Sequence, residues 1–310
     1  MTIERAICSS KPKPWGVADL RAWSNSRNNG VPIGEIWFDR PGAPRTAPSL
    51  LLKLLFTSQP LSIQVHPDDA YAQLVGLPNG KTEAWYVLSA IPGAEVALGL
   101  DEQMTPMQLR LAMDDGSIAD RVIWRAVLPD DVVSVPAGTI HAIGAGLVLA
   151  EIQQRSDVTY RLFDHGRHRD LHVDSAIAAA KNGPVTRPEP PHRLTDERLL
   201  LVTTPYFALE RIELHPGTRW QLDVPGEAWL LVIDGTASTD AFDVGKGEAI
   251  FAQNDCLTLG AGSMGAVCLL AHTGSGAAVP VLAHSDSQPH LTDAAQPMPI
   301  DGAAEINRHR

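Results

Sequence analysis

"LSIQVHPDDAYAQLVGLPNGKTEAWYVL", residues 61–88, holds two short strand-like runs, LSIQVH and KTEAWYVL, separated by turn-forming residues. Side chains on a strand alternate faces with period two. Leu61, Ile63 and Val65 therefore share one face of the first run, and Ser62, Gln64 and His66 share the other. In KTEAW, Lys81, Glu83 and Trp85 share a face. A polar side chain in such a position must find a partner or lose stability. Two apolar-backed strands that each present a polar row make the wall of a pocket inside a small barrel.

The same pattern recurs on either side. GEIWF, RAVL, VVSVP, TIHAIG, LVLAEIQQ and VTYRLF are short β-rich runs punctuated by Gly, Pro, Asp and Asn, which predicts an all-β sandwich or barrel. Two helices interrupt it. TPMQLRLAMDDG has Thr105 as N-cap, Pro106 in the first turn and Gly116 as a stop, within an insertion around 102–121. VDSAIAAAKNG closes the first unit, which spans 1–182. The proline-containing stretch 183–193 reads as a linker. A second strand-rich unit follows over 194–283, with a hairpin turn expected at Asp234-Gly235. The polar stretch 284–310 lacks periodicity and is expected to be poorly ordered or draped on the surface.

Bulk properties narrow the partners. The chain has 310 residues, 44% of them hydrophobic, and a formal net charge of −11, so a general nucleic-acid binder or a polybasic membrane-surface protein is not expected. A small anionic ligand remains compatible, because a few local cations can hold one. Three well-separated cysteines with no CxxC predict neither a disulfide framework nor a thiolate metal site, and fit a reducing cytoplasm. The N-terminal stretch lacks the apolar core of a signal peptide, and no apolar run is long enough to span a membrane. Monomer and homodimer are both open.

Gln64, His66, Glu83 and His141 together offer two imidazole nitrogens, a carboxylate and an amide oxygen. That set suits Zn²⁺ or another divalent first-row ion, with a position open to water or substrate. Arg161, on a face with Asp157 and Thr159, suits a phosphate or a developing oxyanion; a structural Asp157–Arg161 pair is the alternative. Glu151 is placed either as a general base or as a hydrogen-bond acceptor for a ligating histidine. Arg167, His168 and Arg169 read as a solvated turn. His215, His272 and His284, scattered through the second unit, read as surface or packing residues.

At LSIQVHPDD.YA, GKTEAWYVL, VPAGTIHAIGAG and EIQQRSDVTYRLFD, the chain resembles the type I mannose-6-phosphate isomerases (phosphomannose isomerases), in particular their short bacterial form. KPWG, GEIWF and RDLHVDSAI add to the resemblance, which is dense over about the first 180 residues and loose beyond. It implies cupin-like (RmlC-like jelly roll) β-barrels, two in tandem, with a few short helices, the second barrel lacking metal. It further implies one zinc ion per chain on Gln64, His66, Glu83 and His141. Arg161 and Glu151 would be catalytic, and Lys81 and Ser62 would bind a phosphosugar. The implied reaction interconverts mannose 6-phosphate and fructose 6-phosphate through a cis-enediol. Longer members carry a tyrosine where this chain has Ile143, so no proton relay can use that phenol here. The residues alone also allow an iron-dependent oxygenase on the same barrel, or a sugar-phosphate-binding barrel without activity. Gln64, Lys81 and Arg161 disfavour the first, and the intact ligand set disfavours the second.

Overall fold

A computed structural model describes residues 2–20, 23–24, 29–42, 47–185, 189–274 and 280–284. The expected tail, apart from His284, lies outside the described residues, as does 186–188 of the expected linker. Among the described residues the strands form three sheets, of six, five and eight strands, accompanied by four short helices. No helix among them is long and apolar enough to cross a membrane.

The six-stranded sheet takes its strands in the order Ile7–Val17, Ile33–Asp39, Leu50–Phe56, Leu147–Gln154, Glu83–Ala90 and Val132–Val135. The five-stranded sheet runs Tyr160–Phe163, Ile63–Val65, His141–Ile143, Glu95–Leu100 and Val122–Ala126. The two sheets share an apolar core in which Leu55, Trp85 and Leu149 of the first meet Val96, Leu98 and Ile143 of the second. A polar cavity opens beside that core.

Crossing from one sheet to the other requires the chain to double back tightly. A Cβ on Gly80 would sit 2.5 Å from the carbonyl oxygen of Pro67, so only glycine fits. Lys81 N then donates to the same oxygen at 3.0 Å. This crossing brings Lys81 and Glu83 against His66. The inserted helix Pro106–Asp114 begins as expected, with Thr105 and Gln108 forming a reciprocal capping box.

The strand Leu50–Phe56 reads LLLKLLF and is buried throughout. Its Leu50, Leu52, Leu54 and Phe56 face a core shared with the eight-stranded sheet, including Leu209, Trp229 and Phe251. Glu227 reinforces this junction by accepting from Ser49 N at 2.5 Å, Leu50 N at 2.9 Å and Trp229 Nε1 at 3.1 Å. The first strand, Thr2–Arg5, joins the eight-stranded sheet, pairing with Gln253 through Ile250. His192–Arg193, at the end of the expected linker, pairs with Arg198–Thr203 in that sheet.

Two expectations for this region are corrected. Asp234-Gly235 is not a hairpin turn; it lies inside the continuous strand Arg219–Ser238. Gly235 has φ +70°, and a Cβ there would come within 2.2 Å of the Gly265 carbonyl oxygen, so glycine serves both a left-handed backbone and a close strand passage. His272, read as a surface or packing residue, lies instead in a buried polar cluster. It is 1% exposed, with Nε2 3.0 Å from Glu210 Oε1, and Arg198 donates to both Glu210 oxygens at 2.7 Å. Cross-strand pairing supplies the partner that spacing along one strand could not show.

Burial pushes the Glu210 carboxyl up, but the hydrogen bonds from His272 and Arg198 outweigh it and hold the group below its usual range. Glu210→Gln should therefore cost about 3–5 kcal/mol at neutral pH, since it leaves Arg198 buried beside a neutral amide. A carboxylate with a depressed folded pKa stabilises fully above its unfolded value, about 4.3, and that contribution vanishes as pH falls through the folded value. Urea unfolding should accordingly show a gap between wild type and variant that is full at neutral pH and shrinks below about pH 4.

Candidate metal centre and active site

His66, Glu83 and His141 converge, with their ligating atoms all within 4.8 Å of one another. Glu83 lies between the imidazoles: Oε2 is 3.5 Å from His66 Nε2, and Oε1 is 3.4 Å from His141 Nε2. All three are buried. His66 Nδ1 lies 2.8 Å from the carbonyl oxygen of Val158, and His141 Nδ1 lies 2.9 Å from that of Thr139. A carbonyl only accepts, so both rings carry their proton on Nδ1 and turn an Nε2 lone pair toward Glu83.

Gln64 is the direct register partner of His141 on the neighbouring strand. Its Nε2 is 3.3 Å from His141 Nε2, and its Oε1 accepts from Ser62 Oγ at 3.0 Å. Rotating the amide by half a turn presents oxygen to the cluster instead. The set fits a divalent cation on two observations. The imidazoles are held neutral, burial and then Lys81 pushing His66 down to about 3 and burial lowering His141. Glu83 Oε2 is buried with no hydrogen-bond donor in good geometry. Against its burial, Lys81 holds the Glu83 carboxyl well below the usual range, so it offers a full charge.

Lys81 is the cation nearest this cluster, with Nζ 2.8 Å from Glu83 Oε2 and 3.1 Å from His66 Nε2. Its third neighbour is Glu151 Oε1, at 3.8 Å. Glu151 is 4% exposed and pairs with Lys53 at 3.5 Å, yet its Oε1 receives no hydrogen bond. Burial, reinforced by Glu83, pushes its carboxyl up to about 7, with Lys53 and Lys81 opposing. Glu151 makes no contact with either imidazole's Nδ1, since both are satisfied by backbone. The acceptor alternative is thereby removed.

Arg161 is the register partner of Gln64 on the other side, so Arg161, Gln64 and His141 stand in one row across the five-stranded sheet. Its Nη1 donates to the Asp170 carbonyl at 2.7 Å, and its Nε has no partner. The alternative of an Asp157–Arg161 pair does not hold, because Asp157 is 3.7 Å from Lys53.

These groups surround a cavity of about 490 Å³ lined by Ser62, Gln64, Lys81, Glu83, Glu151 and Arg161, with Trp15, Leu55, Leu61 and Ile143 as an apolar wall. The volume is ordinary for a small-molecule site. The reading of Arg167, His168 and Arg169 as a solvated turn is corrected. Arg167 and Arg169 both bind Asp164, and His168 and Arg169 line the cavity. Sequence reasoning also passed over Lys53 and Glu35, which line the same cavity. The available signal was a lone charge in an otherwise apolar run, LLLKLLF.

No family model matches the chain. The mannose-6-phosphate isomerase of Streptococcus mutans is 32% identical over 258 residues, covering 79% of each chain. The mannose-6-phosphate isomerase ManA of Bacillus subtilis is 35% identical over 175 residues, or 53% of this chain and 55% of that protein. Among solved structures, the Bacillus subtilis mannose 6-phosphate isomerase superposes with a TM-score of 0.74 at 24% identity, covering 88% of this chain and all of that one. The apo enzyme of Salmonella typhimurium superposes at 0.67 with 15% identity, over 89% of this chain and 100% of that one.

Proposed function

This chain belongs to the type I mannose-6-phosphate isomerase family and is a sugar-phosphate isomerase, and from that premise we propose that it interconverts mannose 6-phosphate and fructose 6-phosphate with one zinc ion held by Gln64, His66, Glu83 and His141. One observation carries the reading. A buried pair of Nδ1-anchored imidazoles flanks a buried, charged carboxylate, and the cluster opens on a cavity that also holds Glu151 and Arg161. A bound zinc ion would supply Lewis acidity to the sugar's carbonyl and hydroxyl oxygens, worth several kcal/mol.

The chain's own groups handle the rest of an aldose–ketose conversion through a cis-enediol. Glu151 takes the proton from the carbon next to the carbonyl and returns it to the former carbonyl carbon, while the carbonyl oxygen gains a proton in forming the enediol and the neighbouring hydroxyl gives one up as the new carbonyl forms. Its raised carboxyl suits that exchange near neutrality. Arg161 places a fixed positive charge beside the oxygen on which negative charge develops. Lys81, buried between Glu83 and Glu151, donates to a substrate oxygen at the reacting end. Ser62, with His168 and Arg169 on the same cavity wall, receives the phosphate, turning remote binding energy into orientation of the reacting carbons. Trp15, Leu61 and Ile143 close off water on the apolar side.

The unit 1–182 carries this site, and we assign the unit 194–283, a second barrel without metal, a supporting role behind the strands Leu50–Phe56 and Leu147–Gln154. Three free thiols, Cys8, Cys256 and Cys268, support a cytoplasmic setting. The test is a coupled assay on mannose 6-phosphate with zinc-loaded protein, repeated after chelation. Turnover should disappear with the metal and return on adding zinc. Metal-replete protein that leaves both sugars unchanged would overturn the assignment.

A further inference from the structure

The cavity floor carries charges that this chemistry does not use. Glu151 and Lys53 are register partners on adjacent antiparallel strands, and Lys53 in turn stands opposite Trp37. Directly opposed side chains share a face, so these three form one row, and Glu35, two residues from Trp37, joins it. Lys53 is 3% exposed. Its Nζ is 3.5 Å from Glu151 Oε1, 3.7 Å from Asp157 Oδ1 and 4.0 Å from Glu35 Oε2, and it stands 4.6 Å from the centre of the Trp37 ring. Glu35 is fixed in turn by Lys13 at 3.0 Å and by Trp37 Nε1 at 2.5 Å. Charges of alternating sign thus run from the outer strand to the heart of the cavity.

Such a row is costly to bury, and an apolar residue in place of Lys53 would suit LLLKLLF better as a strand. Stability alone therefore does not account for the lysine. Glu151 Oε1 accepts no hydrogen bond, so the two ammonium groups of Lys53 and Lys81 are what hold that oxygen in place. Of these, Lys81 is committed more closely to Glu83 and His66.

We propose that Lys53 is a positioning residue that holds the Glu151 carboxylate in the orientation proton transfer needs, and that Glu35 fixes Lys53 for that task. The proposal rests on Glu151 as the base in the reading above. Its effect is expected in kcat rather than KM, because Lys53 acts through Glu151 and not on the sugar.

The experiment measures kcat, KM and metal content of the zinc-loaded full chain for Lys53→Met, Lys53→Arg, Glu35→Gln, Glu151→Gln and the double variant Lys53→Met/Glu151→Gln. Lys53→Met should lower kcat on the order of 10–100-fold, the range for partners that orient a reacting group, with KM nearly unchanged and zinc retained. Lys53→Arg should recover part of the loss. Glu35→Gln should show the same split at a smaller factor, and it carries the test if Lys53→Met does not fold. In the double variant Lys53→Met should cost nothing beyond Glu151→Gln. The proposal is overturned if Lys53→Met shifts only the melting temperature, or if it slows the Glu151→Gln enzyme by the factor it slows wild type. Failure of the underlying reading looks different: wild type would be inert on mannose 6-phosphate, or Glu151→Gln as fast as wild type.

Discussion

Glu83→Gln should leave the purified protein without stoichiometric metal and lower turnover by at least about a thousandfold, the loss expected when several kcal/mol of Lewis-acid stabilisation disappears. The substitution preserves shape, so its effect isolates the charge. Both imidazoles keep their backbone anchors, but the anionic ligand between them is gone. A second consequence follows from Lys81, whose ammonium is 2.8 Å from the same carboxylate and 4% exposed. Removing the partner of a buried ion pair costs about 3–5 kcal/mol, so the variant should also unfold at lower denaturant. Adding Lys81→Met should restore much of that stability without restoring metal or turnover. Elemental analysis, denaturant curves and the coupled assay separate these effects. A Glu83→Gln protein that retains one zinc per chain and normal rate would refute the ligand assignment.

Arg161→Ala should keep the metal and lose about 10²- to 10³-fold in kcat, the range for removing one preorganised donor to a developing oxyanion. The side chain contacts none of His66, Glu83 or His141 in the hydrogen bonds it makes. One of these runs to the Asp170 carbonyl, and its Nε remains without a partner. Stability should change little. Arg161→Lys should restore only part of the rate, because an ammonium cannot reproduce the planar fork of the guanidinium. Loss of zinc in Arg161→Ala, or unchanged kcat with a raised KM alone, would move the residue from transition-state stabilisation to metal retention or ground-state binding.

The site was legible where local periodicity decides orientation. Alternation in LSIQVH and KTEAW puts Gln64, His66, Lys81 and Glu83 on inward faces, and the structure brings Gln64, Lys81 and Glu83 to one cavity with His66 against Glu83 and Lys81. What could not be read is what depends on register between distant strands. Lys53 stands opposite Glu151 and His272 meets Glu210, pairings set by sheet order and not by spacing along the chain. The Asp234-Gly235 dipeptide has turn chemistry, but tertiary crowding at Gly265 uses the glycine for passage within a strand instead. Arg167 and Arg169 read as solvated because a charge run usually is. Asp164, buried beside them, turns that segment inward to the cavity.

The pairing of Thr2–Arg5 with Gln253 through Ile250 has a consequence for the order of folding. The two strands lie some 250 residues apart along the chain, so this pairing is a long-range contact that closes late in folding. Until they meet, each strand leaves backbone donors and acceptors without that neighbour, and closing the pair removes an open edge on which another strand could add.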